Sequence, residues 1–257
     1  MNKDKLSNSE KIIKILKVLS REPYNYKAVD ISRLSGINRT TIHRLLAVLI
    51  KHGFVIQEET SKLYKIGPML YNIGSVYLNN FSYEDKVIET LNKISQRVRE
   101  SVGYAVMDNE KVINLYAVEM YQPLKMNYRP GWLYPMNRGS YGKCLWAYYP
   151  NQERVKELLY SQKFEKLYPN TLTEPEEILK EYENIRKKGY VISDEETFGP
   201  SVVGVGVPVF NTKGEVKACI AMAFIKGNDY KEKIVEFKEV LLTHSKELTK
   251  YMPNNYL

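Results

Sequence analysis

The sequence predicts an α+β fold: an N-terminal winged helix-turn-helix, a connecting helix, and a C-terminal domain of antiparallel strands flanked by helices. Three observations carry this. Residues 28–50 repeat apolar side chains at helical spacing with one break, at Ser35-Gly36. Two short apolar runs, 54–56 and 63–66, follow with a polar turn at 58–62 between them. From Gly103 the apolar period drops to two, and the polar stretches 108–110 and 211–214 return the chain on itself.

In chain order, Ser9 is placed to cap a first helix carrying Ile12, Leu16 and Leu19, with Ile13 and Ile15 widening the stripe. A second helix, 28–34, stops at Gly36, a residue free to take the positive φ of a tight turn. Asn38 caps the third, whose stripe is Ile42, Leu45, Leu46, Leu49 and Ile50. His52-Gly53 ends it, and 54–56 with 63–66 form a wing. Asn38, Arg39, Thr40, Thr41, His43 and Arg44 then lie at the helix start, on or beside the face opposite the stripe. Such donors reach phosphates and base edges in a major groove, and Lys62 or Lys65 on the wing would touch the backbone. The alternative is a helical hairpin that merely packs.

After Gly67-Pro68, Met69, Leu70, Ile73, Val76 and Tyr77 repeat at helical spacing with few charges nearby. This stripe is wider than a free linker needs and reads as a dimer contact or docking surface; packing on its own domain is the alternative. Domain limits follow at 1–67, 68–82 and 83–257. A helix spans 83–99 with Val87, Leu91, Ile94 and Val98 inward. Strands follow at 103–107, 112–118 and 124–128, then a loop at 129–132 and a helix at 139–149 cut off by Pro150. Asn151 caps 152–160. Thr173 with Glu176 reads as a capping box for 174–188, closed by Gly189. A short strand, 190–193, precedes a hairpin of 202–210 and 216–224. Asn228 or Asp229 caps a last helix bearing Ile234, Phe237, Leu241, Leu242 and Leu248. An antiparallel sheet covered on one face is expected.

The 257 residues carry a formal net charge of +8. Residues 1–75 hold 13 basic and 6 acidic side chains, a net of +7, and the remainder only +1. The surplus sits on the winged-helix segment, as a phosphate-binding footprint does; a merely lysine-rich surface would show no asymmetry. No apolar run approaches the ~20 residues of a membrane span, and the N-terminus lacks a signal peptide's apolar core. Cys144 and Cys219 stand far apart in the sequence, in apolar surroundings, and read as buried small hydrophobes in a cytoplasmic protein.

The order of these pieces resembles the IclR family of bacterial transcription regulators over nearly the whole chain. RTTIHRLLAVL (39–49), YKIGPMLYNIG (64–74), PMNRGSYGKCLWA (135–147), GYVISDEE (189–196) and VGVPVFNTKGEVKACIAMAF (205–224) carry the likeness. It implies a DNA-binding domain, a linker helix and a C-terminal GAF-like domain that binds a small effector. It also implies a homodimer or dimer of dimers on a palindromic operator in double-stranded DNA. The effector pocket it implies is lined by Met136, Ser140, Tyr141, Asp194, Val202, Gly204, Ala221 and Ala223. Members that bind small carboxylates tend to carry Cys and Ser where this chain has Gly204, Ala221 and Ala223, and a small residue where it has Tyr141. An aromatic or partly apolar ligand with one anionic end is therefore expected, its anion at the N–H groups of Gly139-Ser140. Tyr104, Tyr116, Tyr128 and Tyr134 are placed to help enclose it.

Catalytic patterns fail on inspection. Arg138-Gly139-Ser140-Tyr141-Gly142 has Arg where a G-x-S-x-G elbow needs Gly. Residues 139–144 are two short of a P-loop and end in Cys144. Gly204-Val205-Gly206 precedes no helix. His43, His52 and His244 are scattered, and no base is apparent for Cys144. No catalytic residue, metal or cofactor is expected, and no membrane partner. The rival readings are a constitutive DNA-binding protein whose C-terminal domain only dimerises, and a small-molecule hydrolase with an appended helix-turn-helix.

Overall fold

The computed structural model describes residues 6–79, 82–120, 131–197 and 199–253, and the chain divides into two compact units, Met1–Phe81 and Ser82–Leu257. In the first unit, α1 (Asn8–Leu19) begins two residues earlier than Ser9 would place it. Ser7 is the cap: its hydroxyl accepts from Glu10 N at 3.2 Å while Glu10 Oε2 accepts from Ser7 N at 2.7 Å. Ser9 has Ile12, not a carboxylate, three residues on. α1 buries Ile15, Val18 and Leu19, whereas Ile13 faces water.

α2 (Ala28–Ser35) ends at Gly36, which holds φ +70°. α3 (Arg39–Lys51) begins at Asn38, whose Oδ1 accepts from Thr41 N at 2.9 Å. It buries Ile42, Leu45, Leu46 and Leu49; Ile50, expected in the stripe, lies at its exposed rim. β1 (Val55–Gln57) and β2 (Tyr64–Ile66) form the wing, Val55 opposite Ile66. Tyr26 adds a bridge that periodicity did not reveal, exchanging N–H···O bonds of 3.0 and 2.8 Å with Tyr64. Gly67 leads into α4 (Pro68–Asn79) across Gly53, and a Cβ at Gly67 would come within 2.2 Å of Gly53 O, so only glycine fits there.

The second unit opens with α5 (Ser82–Val98), β3 (Val102–Asp108) and β4 (Lys111–Val118). Asn109 and Glu110 both take positive φ between these strands, as a two-residue hairpin turn of right-handed twist demands. β5 (Leu133–Tyr134), α6 (Ser140–Ala147), α7 (Gln152–Tyr160), α8 (Pro175–Lys188), β6 (Val191–Asp194), β7 (Val202–Phe210), β8 (Val216–Ile225) and α9 (Tyr230–Tyr251) follow. β5 falls just after the expected loop at 129–132, at positions to which the sequence assigned no element; the strand expected at 124–128 lies outside the described residues. Asn151 caps α7 as expected. Thr173 does not cap α8: Glu174 takes that position, Pro175 sets the first helical φ, and the Thr173 hydroxyl turns to the Glu174 carboxylate. Asp229 stands at the start of α9 without a capping side-chain bond.

The six strands run β5-β4-β3-β8-β7-β6, every pairing antiparallel. The sheet is covered on both faces, not one. α5 and α9 bury Val87, Leu91, Ile94, Phe237 and Leu241 against Tyr104, Val205, Val207, Ile220 and Met222. α6, α7 and α8 bury Cys144, Leu145, Val155, Leu159, Ile178 and Tyr182 against Ala105, Cys219, Ala221 and Val191. Each fully buried aliphatic side chain contributes about 1.5–3 kcal/mol. The sign of two-sided burial was present in the unbroken apolar runs of β7 and β8, which lack the polar alternation of a half-solvated strand. The faces differ in size: valine, isoleucine, methionine and phenylalanine toward α5 and α9, glycine and alanine toward α6. Among the described residues no helix is long and apolar enough to cross a membrane.

Candidate functional site

The start of α3 presents its polar residues outward. Burial of Ile42, Leu45, Leu46 and Leu49 fixes the helix about its axis, which leaves Asn38, Arg39, Thr40, His43 and Arg44 exposed and Thr41 half-buried. Arg44 Nη2 donates to Asn8 Oδ1 at 3.2 Å, which steadies its stem. Asn38 spends its Oδ1 on the cap. Lys62, at φ +57° in the wing turn, and Lys65 on β2 are exposed on the wing. All eight residues lie in the helix-turn-helix or its wing.

In the second unit, Ser140, Tyr141, Val202, Gly204, Ala221 and Ala223 meet around one cavity, joined by Tyr134, Gly139, Ser193 and Thr197. It encloses about 20 Å³, room for one water molecule. The small face of the sheet makes this approach possible: Gly204 pairs with Ala223 and Gly206 with Ala221. A Cβ on Gly204 would sit 2.5 Å from Ser140 Oγ. Tyr141 fills much of the space. Its ring meets Tyr134 edge-on at 4.9 Å, and its hydroxyl donates to Ala221 O at 3.3 Å. The hydroxyls of Ser140 and Thr197 are buried and make no hydrogen bond. An unpaired buried hydroxyl is costly, and a ligand would relieve it. Burial pushes the Tyr134 phenol up to about 12, with the Asn114 amide opposing, so it stays neutral.

Two expected lining residues lie elsewhere. Asp194 pairs with Lys226 at 2.9 and 3.1 Å. Along β6 the side chains alternate: Val191 and Ser193 face α6, Ile192 and Asp194 the opposite side. Met136 turns away from this cavity, its sulfur accepting from Gln162 Nε2 at 3.1 Å. The same parity removes Tyr104 and Tyr116, which pack on the α5–α9 face; Tyr128 lies outside the described residues.

The acid that holds two of the lining residues, Gly139 and Ser193, is Glu196, a neighbour of Asp194 that the sequence did not single out. Its Oε2 accepts from Gly139 N and Ser193 Oγ, both at 3.1 Å, and its Oε1 from Lys143 Nζ at 2.6 Å. Lys143, 1% exposed, also donates to Ile192 O at 2.9 Å and Glu181 Oε1 at 3.2 Å. The Gly139 N–H, expected to await a ligand's anion, is therefore already taken. The available signal was Lys143 itself, a lysine within an otherwise apolar helix, which demands an acidic partner.

Burial holds the Glu196 carboxyl above its ordinary value of 4.5, against Lys143, the Gly139 N–H and Ser193. A carboxyl raised in the folded state binds its proton more tightly there than when unfolded. Its contribution to stability is complete below 4.5 and is lost as pH rises through the raised value. Glu196→Gln should flatten the stability profile in the interval just above 4.5, while the window below it, set by carboxyls such as Glu247 that Lys86 holds low, stays unchanged. Urea midpoints across pH for both proteins measure the difference.

Of the three histidines, His43 and His52 belong to the first unit, and His244 on α9 faces Glu247 at 3.3 Å. Cys144 and Cys219 are both free and buried.

Comparison with known proteins covers nearly the whole chain. The model for the bacterial transcriptional regulator IclR C-terminal domain matches residues 76–250, and that for the IclR helix-turn-helix domain matches residues 10–59. The HTH-type transcriptional regulator KdgR of Dickeya chrysanthemi is 26% identical over 86% of this chain and 72% of its own length. XynR of Escherichia coli K12, likewise an HTH-type transcriptional regulator, is 24% identical over 92% and 93%. Among solved structures, an IclR transcriptional regulator from Alicyclobacillus acidocaldarius superposes with a TM-score of 0.83 at 21% identity, covering 96% of this chain and 99% of that one. An IclR homolog from Microbacterium hydrocarbonoxydans, complexed with 4-hydroxybenzoate, gives 0.77 at 20% identity over 95% and 98%.

Proposed function

The chain belongs to the IclR family of bacterial transcriptional regulators, and from that premise we propose how this member reads DNA and senses its effector. It is a cytoplasmic, non-catalytic regulator that grips each half of a palindromic operator with one copy of α3. Arg39, Thr40, Thr41, His43 and Arg44 supply base and phosphate contacts, with Lys62 and Lys65 on the backbone. The observation that carries this is the capped, outward-facing start of α3, where two arginines and two hydroxyls stand on a helix whose rotation is locked by four buried aliphatics.

α4 joins two copies. Its twelve residues include no charge, yet Met69, Tyr71, Ile73 and Val76 face outward, with Ile73 50% and Val76 55% exposed. A helix left in water does not leave such a face bare. Replacing Ile73 and Val76 together by lysine should shift the chain toward monomer in sedimentation equilibrium and weaken binding to a two-half-site duplex more than to a single half-site. Unchanged association would remove α4 from the interface.

The effector is a small organic acid or aromatic molecule lodged between Ser140, Thr197, Tyr134 and the Gly204–Ala223 floor. The two unpaired hydroxyls support that placement. With about 20 Å³ enclosed, a ligand enters only as Tyr141 or the segment after β6 gives way, and that movement is what biases the two DNA-binding heads. A thermal-shift screen of small aromatic and aliphatic acids tests this. A hit should also change operator affinity, and Gly204→Ala, whose methyl takes the space beside Ser140 Oγ, should abolish both effects while DNA binding persists. A ligand response untouched by Gly204→Ala places the effector elsewhere, and no response to any ligand favours the constitutive rival.

A further inference from the structure

We propose that this protein carries a second small-molecule site, for a compact carboxylate with an aromatic or aliphatic body, between the β4–β5 edge and the end of α7. The cavity there encloses about 370 Å³ and opens to solvent. Its inner wall is apolar: Val112, Met136, Trp146, Leu158 and Phe164. Its polar end is Arg138. Among the described residues Arg138 makes no hydrogen bond and no ion pair, and its buried Nε has no partner. A guanidinium drawn partly out of water without a carboxylate is unstable in that state, and burial lowers the Arg138 pKa accordingly, with Glu165 opposing at longer range.

The neighbours repeat the same imbalance. Asn137, 0% exposed, spends its Nδ2 on Leu172 O at 2.6 Å and leaves Oδ1 without a donor. Lys111 and Lys163 line the rim without an ion pair among the described residues. Of the two carboxylates present, Glu110 is engaged by Arg154 through bonds of 2.8 and 3.1 Å. The wall therefore offers cations in excess, an unused fork that suits a carboxylate's two oxygens, and an apolar floor for the rest of the molecule. A donor on the ligand, such as a hydroxyl, would satisfy Asn137 Oδ1.

This site stands apart from the cavity under α6, but Tyr134 borders both. The segment from Tyr134 to Gly139 runs between them, so occupancy of one bears on the other through a shared wall, and the coupling is reciprocal.

The test follows the methyl resonance of Met136, which lines this cavity and not the other, in methyl-labelled full-length chain titrated with benzoate. A saturable shift is expected in the wild type. Arg138→Gln should weaken benzoate by about tenfold or more, and Arg138→Lys, which keeps the charge but loses the fork, should fall between. Phenol, with the same ring and no carboxylate, should bind far more weakly. The proposal is overturned if benzoate leaves Met136 unmoved, if Arg138→Gln binds it unchanged, or if phenol equals benzoate. Should Arg138→Gln fail to fold, Arg138→Lys alone decides, since an affinity equal to the wild type's excludes the fork. Loss of the effector response in the α6 cavity would leave this result untouched.

Discussion

Replacing both Arg39 and Arg44 by alanine should lower operator affinity by roughly a hundredfold, taking about 1.4 kcal/mol for each lost charged contact. Both lie on the exposed start of α3, and neither holds the fold together: among the described residues Arg39 makes no ion pair, and the Arg44 guanidinium hydrogen-bonds only to Asn8. Stability should therefore stay near the wild type's, and the loss should fall on DNA alone. The salt dependence divides the roles. An arginine on a phosphate lowers the slope of log affinity against log salt by about one unit and weakens all sequences alike; one on a base edge relaxes specificity at a single position. Duplexes selected from a random pool supply the operator. Equal affinity for wild type and double variant throughout a salt titration would remove α3 from the interface.

Lys143→Met should destabilise the second unit by about 3–5 kcal/mol, because it leaves a buried charge without its counter-ion. Methionine reaches as far as the lysine Cε and lacks only the ammonium, so packing of the stem changes little. The loss falls on Glu196, 6% exposed, which would retain only the Gly139 N–H and the Ser193 hydroxyl. Adding Glu196→Gln should restore much of the stability, since an amide buries at lower cost than an unpaired carboxylate. Urea unfolding followed by tryptophan emission measures this cleanly, since Trp132 and Trp146 both belong to the second unit. A Lys143→Met protein as stable as the wild type would mean the ion pair contributes nothing. Operator affinity without ligand should survive both changes, whereas the effector response should not, because the same carboxylate positions the start of α6 beside Ser140.

The first unit was nearly all legible in the sequence. Asn38, Gly36 and the stripe from Ile42 to Leu49 act through contacts within a few residues, and local rules reach that far. The wing strands were visible, though the Tyr26 bridge was not, since one isolated pairing leaves no period. The cavity residues Ser140, Tyr141, Val202, Gly204, Ala221 and Ala223 came from family likeness rather than from patterning. Asp194 and Met136 came the same way and lie outside the cavity. Likeness transfers a neighbourhood, whereas a shift of one residue along a strand turns a side chain to the other face.

Order along the chain, the caps at Asn38 and Asn151, the turn at Gly36, the charge surplus of the first 75 residues and the outward set of α3 follow from residues near one another in sequence, where backbone geometry leaves few choices. Which face of the sheet each strand residue meets, the junction of Glu196 with Lys143 and Gly139 across some fifty residues, and the unpaired Arg138 beside its cavity depend on distant segments arriving together. Burial energies set those meetings, and no local period records them: a lysine shows that it needs an acid, but only packing selects which one.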